Sequence, residues 1–437
     1  MITEHTGQPD ERIDPKQSGS SPPATGCRFC GAPLRHTFID LGHTPLCQSV
    51  LTEAQLDQPE QTYPLHAYVC DQCWLVQLKA YVSGESIFGG EYAYFSSYSD
   101  SWLAHCERYV EAMIGRLGLD GQSKVMELAS NDGYLLQYFI KRNIPALGIE
   151  PASNCAAAAE EKGVPTRVAF FGRELATQLA SEGEKPDLLV ANNVLAHVPD
   201  LNDFVGGMKA VLAEDGVITV EFPHLLRLID GAQFDTIYHE HFCYYSFTTV
   251  TRIFAAHGLA VFDVQEIPTH GGSLRVFASH DGGPNAAPLP AVESMLEHEQ
   301  AYGITDLATY AGFTGRVNKV KHDLLAFLLQ AKREGKTVVG YGAPGKASTL
   351  MNCCGIRPDL LPYTVDRNTY KQGRYTPGGH IPIFKPDKIR ETKPDYVLIL
   401  PWNLRDEITQ QLAYIRAWGG RCVVPIPELE IVRPSSG

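Results

Sequence analysis

Short unbroken apolar runs separated by turn residues dominate the chain from about residue 86 onward. Lys124-Val125-Met126-Glu127-Leu128-Ala129 reads as a buried strand and Ser130-Asn131-Asp132-Gly133 as a turn. Tyr134-Leu135-Leu136-Gln137-Tyr138-Phe139 then begins a helix. Further strands are expected at Ala146 to Glu150, Asp187 to Asn193, Gly216 to Phe222, Leu259 to Ile267 and Ser273 to His280. Strands alternating with helical stretches predict a mainly parallel, doubly wound α/β sheet, with ligands at the carboxyl ends of its strands.

Past a Pro/Ala/Gly-rich stretch at Pro284 to Pro290, residues 291–334 read as amphipathic helices. A second strand–turn–helix then follows, Thr337-Val338-Val339 leading into Gly340-Tyr341-Gly342-Ala343-Pro344-Gly345-Lys346. Tyr363 to Asp366 and Tyr396 to Leu400 supply later strands of this second Rossmann-like unit. The predicted organisation is a tail (1–24), a metal-binding module (25–85), a first α/β domain (86–285), a helical linker (286–334) and a C-terminal α/β domain (335–437).

Composition narrows the class. At 437 residues the chain needs two or three cores. A net charge of −13 with scattered basic residues argues against a nucleic-acid surface, so phosphate recognition should be local. No apolar run approaches the roughly 18 residues of a membrane span. The polar tail has no apolar signal-peptide segment, and the eleven dispersed cysteines suit a reducing cytoplasm. A monomer is expected.

Four of those cysteines carry a metal signature. Cys27-Arg28-Phe29-Cys30 and Cys70-Asp71-Gln72-Cys73 are paired knuckles that can surround one Zn²⁺ with four thiolates. With every position filled by Cys there is no place for a reactive water, so the ion is expected to be structural. Cys47 and His43, between the knuckles, are the alternative ligands.

The first α/β turn is poor in glycine and rich in acid, which disfavours a pyrophosphate. Glu127 and Asp132 beside a cationic sulfonium and ammonium would be favourable. Glu150, closing the second strand, suits a ribose diol. These features tip the first sheet toward S-adenosylmethionine. Downstream, Tyr238-His239-Glu240-His241-Phe242 concentrates proton carriers of the kind that acid–base chemistry at a carbonyl needs. The competing expectation for the pair His239 and His241 is a metal site, since extended backbone would put both on one face.

Taken together, these segments resemble a known family. Glu127 to Gly133 is similar to the first motif of class I methyltransferases, and Asn193-Val194-Leu195-Ala196-His197-Val198-Pro199-Asp200 to their post-strand-four motif. With both CxxC knuckles, Tyr238 to Phe242 and Gly340 to Lys346, residues 25 to 430 resemble the zinc-containing sugar C-methyltransferases. These act on nucleotide-linked deoxysugars in antibiotic pathways. The chain departs from the family pattern at Ala129, where Gly is usual, and in its long tail.

The resemblance implies catalytic or substrate-contacting roles for Tyr238, Glu240, His241, His197 and Tyr92. Of these, His241 is the candidate base, Glu240 its orienter or a hydroxyl ligand, and Tyr238 a donor to the enolate oxygen. Cofactor contacts fall on Glu127, Ser130, Asn131, Asp132 and Gly133 in the turn, and on Glu150, Asn192 and Asn193 at strand ends. The C-terminal unit would hold the nucleotide diphosphate of the substrate, with Tyr341, Lys346 and Arg374 as contacts. The expected reaction is methyl transfer to C3 of an NDP-4-keto-deoxysugar, with C5 the close alternative. Two other readings compete: an NAD-dependent nucleotide-sugar oxidoreductase using Gly340 to Gly345, and a non-enzymatic, zinc-stabilised nucleotide-sugar binding module.

Overall fold

A computed structural model describes residues 26–82, 87 and 95–432. Tyr92 lies outside the described residues. The N-terminal module contributes β1 (His36–Thr44), β2 (Tyr63–Val69) and β3 (Val76–Leu78). The first α/β unit contributes β4 (Val125–Leu128), β5 (Ala146–Ile149), β6 (Thr166–Arg167), β7 (Leu188–Asn192) and β8 (Val217–Pro223). After these come β9 (Cys243–Tyr244) and the hairpin β10 (Leu259–Ile267) and β11 (Ser273–His280).

The central sheet has the order β10-β11-β8-β7-β4-β5-β6. Its strands β8 to β6 are parallel, and the β10–β11 hairpin joins antiparallel on the β8 edge. Continuous apolar runs form these inner strands because helices cover both faces: every residue of β4 and β7 is buried. The chain therefore brings the ends of β4, β5 and β7 to one rim, where a ligand can reach backbone amides.

The C-terminal unit repeats the plan. Strands β12 (Val338–Tyr341), β13 (Thr364–Val365), β14 (Ile383–Phe384), β15 (Tyr396–Ile399), β16 (Arg421–Val424) and β17 (Glu430–Val432) form a sheet of order β14-β13-β12-β15-β16-β17. Only β17 runs antiparallel in it.

Segment 286–334 does more than space the units. Its helix Phe313–Arg333 buries Val317, Val320, Leu324 and Leu328 on one stripe, at helical spacing. That stripe shares a core with Phe38 of β1 and Val339 of β12, and Phe38 stacks on Phe313 at 4.5 Å. The preceding helix Pro290–Tyr302 delivers Glu299 to a fully buried knot. There Glu299 accepts from His224 Nε2 at 2.6 Å and from the backbone N–H groups of Phe247 and Thr248 at 2.7 Å each.

The N-terminal sheet has the order β1-β2-β3-β9. Its fourth strand is the two residues that follow Phe242, so the metal module and the proposed catalytic segment share one ladder. Val76 pairs with Tyr244, Gln77 with Cys243, and the N–H of Leu78 donates to the carbonyl of Phe242 at 2.9 Å.

Candidate active site

The four knuckle cysteines converge. Their sulfurs all lie within 4.8 Å of one another, with Cys27 to Cys73 at 3.4 Å and Cys30 to Cys70 at 3.6 Å. This donor set fits a tetrahedral thiophilic ion. Gln77 steadies it: its Nε2 donates to Cys27 Sγ at 3.1 Å, and its Oε1 accepts the N–H of Arg28 at 2.9 Å. The alternative ligands fall away, for His43 is exposed and Cys47 is buried elsewhere, against Glu240. Among the described residues no other group of Cys, His and acidic side chains converges in this way. In particular, His239 and His241 do not face a common point. A turn closed by the His241 N–H on the Tyr238 carbonyl (2.8 Å) sends them apart.

The first α/β turn is held by backbone strain and one carboxylate. Ala129, Asn131 and Gly133 have φ of 56°, 48° and 72°, the left-handed region that costs a side-chain-bearing residue about 1–2 kcal/mol. A Cβ on Gly133 would stand 3.0 Å from Val164 Cγ2, so both space and conformation require glycine there. Glu150 Oε2 accepts the N–H of Asn131 at 2.9 Å, and its Oε1 that of Ala152 at 2.8 Å. Burial raises the Glu150 carboxyl above the usual carboxylate range, against the pull of those two amides.

A cavity of about 1160 Å³ opens over this turn and extends to the glycine loop of the C-terminal unit. Single-ligand pockets span roughly 300–1,000 Å³, so this one has room for a cofactor and a second molecule. Asn131, Glu150, Asn192 and Asn193 line it. Both polar side-chain atoms of Asn192 and of Asn193 are buried without a protein partner, an arrangement that fits a polar ligand. Ile149, Pro151 and Phe170 add apolar walls suited to an adenine ring. These residues can hold S-adenosylmethionine.

Not every residue of the sequence motif reaches the cavity. Glu127, in β4, and Ser130, Asp132 and Gly133, in the turn itself, are outside the lining. Asp132 is paired with Lys162 at 2.8 Å. Glu127 is fully buried, and burial pushes its carboxyl well above the usual range, which favours the neutral form. The acidic turn thus shapes the site; the direct charge complement to a sulfonium that its composition suggested is not built from Glu127 or Asp132.

The acid–base segment faces the same cavity through Tyr238, Glu240 and His241, joined by His197. His241 Nδ1 lies 2.8 Å from the Thr236 carbonyl oxygen and His197 Nδ1 2.8 Å from that of Glu240. Each carbonyl can accept only from a protonated Nδ1, so the neutral form of each ring carries its lone pair on Nε2. Burial holds His241 well below the ordinary histidine range, reinforced by His197, and takes His197 down to about 4. The two rings meet edge to face at 4.7 Å, and Tyr238 covers His241 at 4.0 Å. His241 is therefore oriented by a backbone carbonyl, which no residue pattern marks in advance.

The opposite wall is cationic. Tyr341 and Lys346 line it, as expected, but Arg374 does not; it lies over the Tyr370 ring at 4.2 Å, away from the cavity. Lys371 and Arg367 stand there instead. Asp366 repeats the device of Glu150: its Oδ2 accepts the N–H of Ala343 at 2.6 Å and its Oδ1 that of Asn368 at 2.8 Å. Trp102, His270, Arg275 and Asn403 also line the cavity, and sequence reasoning passed over all four. The one available signal was the His-Gly-Gly tripeptide at 270–272, a turn between two strands.

Known proteins match this construction. Family models for a zinc binding domain, a methyltransferase domain and a C-methyltransferase C-terminal domain fit residues 27–88, 102–264 and 268–427. The chain is 35% identical to the C-methyltransferase NovU of Streptomyces niveus over 414 residues, 95% of this chain and 98% of that protein. It is 24% identical to the ubiquinone biosynthesis O-methyltransferase of Rhodopseudomonas palustris over 97 residues, 22% of this chain and 38% of that one. Among solved structures, the magnesium protoporphyrin IX methyltransferase of Synechocystis PCC 6803 is similar at 13% identity and TM-score 0.33, over 41% of this chain and 83% of that one. That likeness is too low to bear on function. The match to the C-methyltransferase over nearly its whole length, with the cysteine cluster and the cofactor turn in place, shows that the chain belongs to the zinc-containing, S-adenosylmethionine-dependent C-methyltransferases.

Proposed function

We propose that the substrate is a nucleotide-diphosphate 4-keto-deoxysugar, methylated at the carbon beside its ketone, C3 in preference to C5. The observation that carries this reading is the placement of His241, a neutral imidazole facing a cavity shared by the cofactor turn and a cationic loop. S-adenosylmethionine, when bound, supplies an electrophilic methyl group. The chain itself must make the carbon nucleophilic.

His241 does this by taking the proton from the carbon next to the ketone. The C–H electron pair moves into the carbonyl, and Tyr238 donates to the resulting oxyanion. Once carbon has accepted the methyl group, the ketone is restored and His241 returns its proton to solvent. Lys346, Arg367 and Lys371 give the C-terminal wall the charge that an anionic diphosphate needs, while Glu150 lies on the side that would hold the cationic cofactor. The glycine loop thereby reads as a diphosphate cradle, without a nicotinamide. Such a reaction belongs to deoxysugar assembly of the kind that decorates antibiotics.

The test separates the base from the methyl donor. With S-adenosylhomocysteine present and D₂O as solvent, wild-type protein should exchange one hydrogen beside the ketone of a dTDP- or UDP-4-keto-6-deoxyhexose. His241→Asn should abolish that exchange. Absence of both exchange and methylation across such substrates would remove the keto-sugar reading.

A further inference from the structure

We propose that His270 is a substrate-binding residue, gripping together with Lys346 a phosphoryl oxygen of the sugar nucleotide's diphosphate. This rests on the substrate class proposed above. The hairpin β10–β11 could close with an ordinary turn, yet it closes through His270, Gly271 and Gly272 with φ of 55°, 90° and 111°. A histidine in the left-handed region is strained, and such strain persists only where surrounding structure holds it. Here the surroundings are visible. A Cβ on Gly271 would stand 2.5 Å from Trp402 Cη2, and one on Gly272 would stand 2.8 Å from Arg227 Cγ. Gly271 is wedged against the C-terminal unit and Gly272 against the first α/β unit, which leaves no room for other residues at either position.

That wedge aims the ring. His270 lines the cavity and meets Trp102 edge to face at 5.3 Å, and its Nδ1 is buried without a hydrogen-bond partner. Trp402, the residue the tip leans on, also carries Lys346, whose Nζ is 4.7 Å from the ring centroid and donates to Asn403 Oδ1 at 2.7 Å. Asp235 fixes that indole by accepting from its Nε1 at 2.7 Å. One aromatic plate thus positions an imidazole and an ammonium on the same cavity. The two oppose each other: burial first, then the Lys346 charge, holds His270 down to about 4. Glu221 and His105, the other titratable groups near this ring, are engaged with each other at 3.0 Å, and Arg275 holds Glu221 as well. An anion seated between His270 and Lys346 turns that opposition into attraction to both.

The experiment is calorimetric titration of the zinc-loaded, S-adenosylhomocysteine-saturated protein with inorganic pyrophosphate, UDP and dTDP. Wild type should bind at least one of the three. His270→Ala should weaken that binding by about tenfold to a hundredfold, the effect of one hydrogen bond to a charged group. His270→Gln, which keeps an N–H donor, should recover part of it and guards against a folding defect in the alanine variant. With keto-sugar substrate the loss should fall on KM more than on kcat, and S-adenosylhomocysteine affinity should stay at the wild-type value. Unchanged diphosphate affinity in His270→Ala overturns the role of His270 alone. Failure of the wild type to bind any of the three overturns the substrate class as well. Weakened S-adenosylhomocysteine binding would place His270 on the cofactor side and overturn the inference.

Discussion

The thiol of Cys47 donates to Glu240 Oε1 at 3.3 Å, joining the metal module to the acid–base segment across 193 positions of sequence. It is one of several such ties. His239 Nε2 donates to the Pro64 carbonyl of β2 at 3.2 Å, Thr249 Oγ1 donates to the Cys73 carbonyl at 3.2 Å, and β9 continues the module's sheet. Zinc in such a module contributes folding energy outright. Its influence should therefore pass through that sheet to Glu240 and His241.

Removing the metal should accordingly silence chemistry before it disturbs the cofactor. Cys70→Ser, or chelator-treated protein, is expected to lose turnover by at least about a hundredfold, in line with misplacing a catalytic group. S-adenosylhomocysteine affinity should change only a few-fold, because Glu150 and Asn131 are held by the other sheet. Metal analysis and calorimetry on the same sample check this; equal loss of both functions would show that zinc merely holds the whole chain folded. Cys47→Ala should retain zinc and lower kcat about tenfold, the effect of one lost hydrogen bond to the Glu240 carboxyl, and Cys47→Ser should restore it.

The pH dependence follows from the histidines. His241 lies well below 6.5 and His197 at about 4, so both are in the proton-accepting form throughout the neutral range. The acid limb of kcat/KM, which reports the free enzyme, should show no inflection near 6.5 and should descend only at lower pH. Stability carries the same sign. Below pH 6.5 the unfolded chain binds protons that the folded rings refuse, so the melting temperature should fall as pH drops from 7 toward 4. A melting temperature that is flat over that interval would mean the rings are charged in the fold.

Much of this arrangement is legible in the sequence, and the parts that are not have a common cause. Buried strands announce themselves by apolar runs, and four cysteines in two knuckles announce a metal. A motif, however, fixes which residues lie near a site and not which way they point. Asp132 and Glu150 are equally acidic in the sequence, yet one turns to Lys162 while the other ties two backbone amides at the cavity wall. Arg374 and Lys371 are three residues apart on one loop, and only Lys371 is turned inward, where its Nζ donates to the Ala343 carbonyl at 2.7 Å. The orienting acceptors of His241 and His197 are main-chain carbonyls, invisible to any residue pattern.

Ala129 offers a test of the cofactor turn. At φ 56° it bears left-handed strain of about 1–2 kcal/mol that glycine would not. Glycine also gives the unfolded chain more freedom, a loss of about 0.4–1 kcal/mol. The strain term is the larger, so Ala129→Gly should leave the melting temperature unchanged or raise it slightly, where most alanine-to-glycine changes lower it. A fall of several degrees would mean that the methyl group packs usefully. Glu150→Gln, by contrast, must present an NH₂ to one of two backbone N–H groups, and should weaken S-adenosylhomocysteine about tenfold.

The knot of His224 and Glu299 decides the acid stability of the central unit. Burial alone would raise the Glu299 carboxyl, but the His224 bond, together with Thr248, overrules it and holds the group below the usual range. A carboxyl lowered in the fold contributes stability that is full above its unfolded value of about 4.5 and is lost as pH falls through its folded value. Glu299→Gln removes the charge but not the shape, leaving His224 without its anion and two backbone donors with one acceptor oxygen between them. A buried donor left unsatisfied in this way costs about 1–3 kcal/mol. Urea denaturation at pH 7 should show that loss, and the gap between variant and wild type should close as the pH is lowered through 4.5. A constant gap down to pH 3 would place the stabilisation in packing, with the charge of Glu299 contributing nothing.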